Sequence, residues 1–102
     1  DIVFVIDAYH EMKEPKPMLS HFRNSLKEGG KILILEKLKS EVRNKSRKAQ
    51  TNAHSLGPDI VRKELVAAGF KILEEVRDLG DWEKNPEKQI WCLVAVNEGD
   101  GP

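Results

Sequence analysis

The sequence predicts an α/β domain with a sheet of about four strands, the last of them antiparallel, and two main helices. Three observations carry that prediction. Ile2-Val-Phe-Val-Ile6 is unbroken apolar sequence rich in β-branched residues, the pattern of a strand covered on both faces, as in a parallel sheet. An amphipathic stretch follows and is closed by Gly29-Gly30 into a second apolar run, Ile32 to Leu35, so that strand, helix and strand form a right-handed crossover. Two further strand-like runs, Phe70 to Val76 and Ile90 to Val96, are joined by a polar loop, which predicts antiparallel pairing between them.

Each element has its own signals. Pro15 and Pro17 break the chain after the first strand, and Pro17 suits a first helical turn, where a missing N–H costs nothing. Met18, Leu19, Phe22 and Leu26 then recur at helical spacing with Ser20, Arg23, Asn24 and Lys27 between them. Gly29 can take the left-handed conformation that ends this helix, and Gly30 lets the backbone turn into the next strand. Residues 37–52 are rich in Lys, Arg, Ser, Asn and Gln and read as a loop or an exposed, partly helical excursion. Pro58 starts the second main helix, with Ser55 or Gly57 as cap and Asp59 placed against the positive end of the helix dipole. Val61, Leu65 and Ala68 form its inner stripe, and Gly69 closes it. Lys71, Glu74 and Glu75 make Phe70 to Val76 an edge or sheet-end strand, and residues 80–88 form a polar loop carrying Trp82. The expected organisation is one domain over residues 1–97 and a disordered tail over 98–102.

Composition excludes several classes. The 102 residues carry 17 basic and 17 acidic side chains, so no long-range field favours nucleic acid or an anionic membrane as a partner. A chain of this length can bury roughly 65% of its unfolded surface around one core. Cys92 is the single cysteine and sits in an apolar run, which excludes an internal disulfide and fits a reduced, cytoplasmic setting. No apolar segment approaches the roughly 20 residues of a membrane span, and no secretion signal opens the chain. The sequence begins at Asp1, without methionine, directly in a buried-type strand, which suggests strands lying upstream.

Three segments, Asp7-Ala8-Tyr9-His10-Glu11 after the first strand, Leu26-Lys27-Glu28-Gly29-Gly30 before the second, and Glu64-Leu-Val-Ala-Ala-Gly69-Phe70 closing the later helix, resemble in order and spacing the C-terminal half of a class I methyltransferase that uses S-adenosylmethionine. Glu28 departs from the family, which usually has proline before the glycine pair. The resemblance covers residues 1 to about 96 and implies half of a Rossmann-like methyltransferase sheet, its last strand inserted antiparallel between its neighbours. It further implies S-adenosylmethionine as cofactor of the complete enzyme and a small-molecule acceptor. The glycine-rich loop and ribose-binding acid of that fold have no counterpart here, so the chain alone is expected to hold no cofactor and to be catalytically silent.

By the same resemblance Asp7, Ala8 and Tyr9 contribute contacts near the methyl donor, His10 and Glu11 face the acceptor, and His54 lines the acceptor pocket. Ligands of open α/β sheets bind at the carboxyl ends of parallel strands, where Asp7 to His10 lie. His10 is the candidate catalytic residue, as an imidazole titrates near neutrality and suits a general base. The alternative, that Tyr9 caps the sheet and His10 bonds a loop carbonyl, stays open. His21 falls on the polar side of its helix and is expected to be inert. Three histidines and one cysteine show no metal-ligand spacing, so no metal is implied. The basic residues Lys37, Lys39, Arg43, Lys45, Arg47 and Lys48 could contact phosphate, but no aromatic side chain is interleaved for stacking on bases, and nucleic acid is not the expected partner. The rival to an enzyme is a non-catalytic interaction module. In either case the first strand lacks a neighbour on one side, and a homodimer through Ile2 to Ile6 is the expected assembly.

Overall fold

The computed structural model describes residues 1–99. Its elements run β1 (Ile2–Ile6), α1 (Pro15–Ser25), β2 (Lys31–Lys39), α2 (Arg47–Asn52), α3 (Pro58–Ala67), β3 (Phe70–Val76) and β4 (Lys88–Asn97), with short 3-10 turns at Tyr9–Glu11, Ser40–Val42 and Trp82–Lys84. The sheet order is β1-β2-β4-β3. β1 pairs parallel with β2, and β4 is antiparallel to both of its neighbours. The last strand in sequence therefore lies between β2 and β3, as expected. Among the described residues no helix is long and apolar enough to cross a membrane.

One face of the sheet carries the core. Val5, Ile32, Ile34, Trp91, Leu93 and Ala95 point from it against Leu19 and Leu26 of the α1 segment and Val61 and Leu65 of α3. The two longer helices thus share one side, because each returns the chain over the same face. This corrects the prediction that β1 is covered on both faces: Ile2, Phe4 and Ile6, which alternate with Val3 and Val5, are 45%, 59% and 57% exposed. Edge position and one-sided covering, which an unbroken apolar run does not reveal, separate the two sets.

The chain reversals have local causes. α1 ends at Ser25, four residues before Gly29, whose φ of +85° makes the turn into β2. Gly30 follows because a Cβ there would meet the Lys27 carbonyl oxygen at 2.9 Å. The buried Asn97, at the end of β4, donates from Nδ2 to the carbonyls of Arg23 and Leu26 at 3.0 and 3.1 Å and so satisfies the C-terminal end of α1. Gly69, at φ +95°, closes the α3 segment. Of the expected tail, Gly99 is tied to the fold: its N–H donates to Asn97 Oδ1 and its carbonyl accepts from Arg23 Nη2. Residues 100–102 lie outside the described residues.

The segment read as a loop over 37–52 is built differently. Lys37 to Lys39 continue β2, and the rest folds around a buried glutamine. Gln50 Nε2 donates to the carbonyls of Val42 and Lys45, and its Oε1 accepts from the Gly57 N–H at 2.8 Å. Ser46 caps α2 through the Ala49 N–H. Ser55 bonds both the Lys37 carbonyl and the Lys39 N–H, and Trp91 Nε1 donates to the Leu56 carbonyl, so the excursion is pinned to β2 and β4. Of the two candidate caps, Gly57 is the N-cap of α3, and Ser55 instead serves the strand.

Candidate functional site

The site begins where β1 ends beside β2, which runs on to Lys39. Parallel register sets Ile6 beside Leu35, and the Asp7 N–H donates to the Leu35 carbonyl at 2.8 Å. Asp7 then leaves the strand at φ +51°, and the 3-10 turn that follows sends successive side chains in different directions. Ala8 stays exposed, Tyr9 turns inward with no exposed surface, and His10 swings toward β2.

His10 meets Glu36, a fully buried carboxylate on the covered face of β2. Glu36 Oε1 accepts from the His10 backbone N–H at 2.9 Å and from its Nδ1 at 2.8 Å. A carboxylate on Nδ1 assigns the proton to that nitrogen and leaves Nε2 as the acceptor, 4.0 Å from the exposed Glu11. His54, held at φ +55° after α2, places its ring edge-on to that of His10 with centroids 6.0 Å apart. His10, Glu11 and His54 line one open groove of about 750 Å³, whose other wall includes Arg47 and Lys48. The three residues expected to face the acceptor are thus brought together.

Of the residues expected near the methyl donor, Ala8 is exposed, while Tyr9 and Asp7 have side-chain partners within the chain. The Tyr9 hydroxyl donates to Glu64 Oε1 at 2.9 Å, and Glu64 Oε2 accepts from Arg47 Nε at 2.7 Å, so the phenol ties the turn to α3 and α2. Burial, then the neighbouring Glu64 carboxylate, hold that phenol far above its ordinary range, with Arg47 partly offsetting them. Tyr9 can offer a ligand only its backbone. Asp7 Oδ1 accepts from Lys37 Nζ at 2.6 Å, and the same ammonium lies 4.8 Å over the ring of Trp82. Trp82 therefore packs back toward the sheet end.

Sequence reasoning missed Glu36 and Lys37. Glu36 reads as the polar end of a strand and Lys37 as the first residue of an exposed basic stretch, whereas parallel adjacency to Asp7-Ala8-Tyr9-His10 is what puts them in the site. Asp7, His10 and Glu36 hold their ligand atoms within 4.8 Å of one another, a proximity no sequence spacing announces. Their oxygens and Nδ1 are already joined by hydrogen bonds and by Lys37, so the cluster is a hydrogen-bonded network with its own cation. Of the six basic residues of the excursion, Lys37 is buried in this network and Arg47 is paired with Glu64, so they do not share one face. His21 is exposed on α1, as expected. A second hollow of about 560 Å³, between Pro15 and Pro17 of α1 and Ala67 of α3, is largely apolar and apart from Glu64 shares nothing with this network.

No protein-family model matches the chain, and no curated protein does. Solved structures do. The chain is similar to a protein described as a type 11 methyltransferase from Sulfolobus solfataricus, at TM-score 0.64 and 13% identity over 100% of this chain and 53% of that one. It is also similar to a variant of the 16S rRNA (adenine(1408)-N(1))-methyltransferase from Catenulisporales acidiphilia, at TM-score 0.58 and 17% identity over 99% of this chain and 52% of that one. The chain has the fold of half of a methyltransferase, and it spans about half the length of the structures it matches.

Proposed function

We propose that this chain is the acceptor-side half of an S-adenosylmethionine-dependent methyltransferase acting on a small molecule, with His10 as the base that receives the acceptor's proton at Nε2. The observation that carries the reading is the His10–Glu36 pair, set where the carboxyl end of β1 meets its parallel neighbour β2 and opening on a groove shared with His54 and Glu11. Glu36 orients the ring and fixes its tautomer, so it is a positioning residue.

The chain supplies little of a cofactor cradle. Neither strand-to-helix connection, residues 7–14 or residues 40–46, contains a glycine, so no backbone loop of that kind can approach the cofactor closely. Asp7 and Tyr9 have committed their side chains to Lys37 and Glu64. What remains for the methyl donor is a rim of backbone at 7–9. The complete polypeptide is where transfer takes place, and there S-adenosylmethionine supplies the methyl group.

Two measurements test this. Titration calorimetry of the 102-residue chain with S-adenosylmethionine should be flat up to millimolar ligand; a low-micromolar dissociation constant would overturn the division of labour. In the complete polypeptide, His10→Gln should lower kcat by about 10²-fold or more with folding intact, and Glu36→Gln by less, while His21→Ala changes nothing. Equal losses in the His10 and His21 variants, or no loss in either, would remove His10 from the chemistry.

A further inference from the structure

We infer that the groove beside His10 and His54 takes an anionic group of its ligand, a carboxylate or a phosphate, with Arg47 and Lys48 on one side and Lys13 on the other. This rests on the acceptor-side reading for what the ligand is, but the groove's preference for an anion stands on separate observations.

Arg47 comes first. Glu64 holds its Nε at 2.7 Å, which fixes the guanidinium in the groove wall, while its Nη2 is buried and finds no acceptor among the described residues. A guanidinium held in this way presents a fixed cation in the groove wall, which an incoming oxyanion meets in a charge-assisted contact. Charge balance comes second. Lys13, Arg47 and Lys48 line the groove against Glu11, so cations outnumber carboxylates there even when Glu64 is set against Arg47, in a chain whose 17 basic and 17 acidic residues cancel. The excess is local and sits at one opening. Geometry comes third. His10 and His54 stand edge to face across 6.0 Å, with Nδ1 of His10 already committed to Glu36, so the anion's site lies beside the acceptor nitrogen Nε2 and not on top of it. An anionic tail held by Arg47 and Lys48 would orient the rest of the molecule toward His10, which is how remote binding energy positions a reacting group. No Phe, Tyr or Trp lines the groove, so it offers no platform of the kind that stacks successive bases of a nucleic acid.

The test uses the 102-residue chain and three probes at constant ionic strength: phenyl phosphate, benzoate and a short single-stranded RNA, each followed by NMR. Phenyl phosphate or benzoate should move the His10 and His54 ring signals and the Arg47 side-chain N–H signals, and whichever of the two binds more tightly identifies the anion. Lys13→Gln with Lys48→Gln should weaken that binding about fivefold, while Lys31→Gln, at the far end of β2, should not. Absence of shifts at these residues with both small anions, equal weakening by Lys31→Gln, or tighter RNA binding that spreads beyond the groove would overturn the inference. If the anion binds as described but the complete polypeptide transfers no methyl group, the methyltransferase reading fails and the anion site stands.

Discussion

Tyr9 and His10 are adjacent in sequence and opposite in task, and the 3-10 turn that holds them explains why. One side chain goes to α3 as a structural tie, and the other goes to β2 as a chemical group. Sequence alone brought His10, Glu11 and His54 into one hypothesis, and the fold assembles them in one groove. It could not show that Tyr9 is spent on Glu64, because an aromatic residue after a strand looks the same whether it faces a ligand or the core. The same tie makes a prediction. Since the folded state raises the Tyr9 phenol above its ordinary value near 10, the neutral phenol contributes stability fully below that pH, and the contribution is lost as pH rises and the unfolded chain alone ionises. Tyr9→Phe should therefore cost about 1 kcal/mol at pH 7, from the lost hydrogen bond to Glu64, yet lose less stability than the parent on going to strongly alkaline pH. Urea denaturation at the two pH values measures this, and parallel losses in both proteins would disprove it. Tyr9 is the chain's one tyrosine, so absorbance titration reports it without overlap.

Among the elements, the excursion between β2 and α3 was the least legible. Strands and the two longer helices announce themselves through apolar period, but this segment is organised by Gln50, a polar residue that satisfies carbonyls of Val42 and Lys45 and the N–H of Gly57 from the inside. Hydrophobic patterning carries no trace of such a hub. Glu36 was missed for a related reason: only the pairing of β2 with β1 gives it a partner. Gln50→Ala should leave the Gly57 N–H and the Lys45 carbonyl short of a partner, while the Val42 carbonyl keeps the Lys45 N–H, and cost about 2–3 kcal/mol. Hydrogen exchange should quicken first at Gly57 and through α2, with β1 and α1 little changed. Uniform acceleration across the sheet would show instead that the excursion has no independent stability.

For the molecule as a whole, the open edge matters most. The Asp1 carbonyl accepts from the Lys31 N–H and the Asp7 N–H donates to the Leu35 carbonyl, so the odd residues of β1 bond β2. By the alternation of a ladder, Ile2, Phe4 and Ile6 then direct their backbone groups outward, and their side chains lie on the uncovered face. We propose that a second copy meets this edge antiparallel, giving a two-fold dimer with a continuous eight-stranded sheet. Light scattering should then give about twice the 11.6 kDa of one chain. Phe4→Pro removes an outward N–H without touching the ladder to β2, so it should yield a folded monomer. A dimer that survives this substitution, or a parent that stays monomeric at high concentration, would dispose of the idea.

The insertion of β4 between β2 and β3 bears on the time course of folding. Every other element precedes β4 in the chain, yet β2 and β3 touch the same sheet only through it. While the polypeptide is being synthesised, the β1-α1-β2 crossover and the α3-β3 unit can each become compact, but they have no shared ladder until Lys88–Asn97 has left the ribosome. The pairing of Lys31 with Val96 closes one of the longest loops the chain can make, and closing it is the slow, entropically costly step that a topology of high contact order imposes. Nascent chains halted before Trp91 would thus present the open edge of β2 and an unpaired β3 to the cell, and the ten-residue strand β4 acts as the latch that retires both at once.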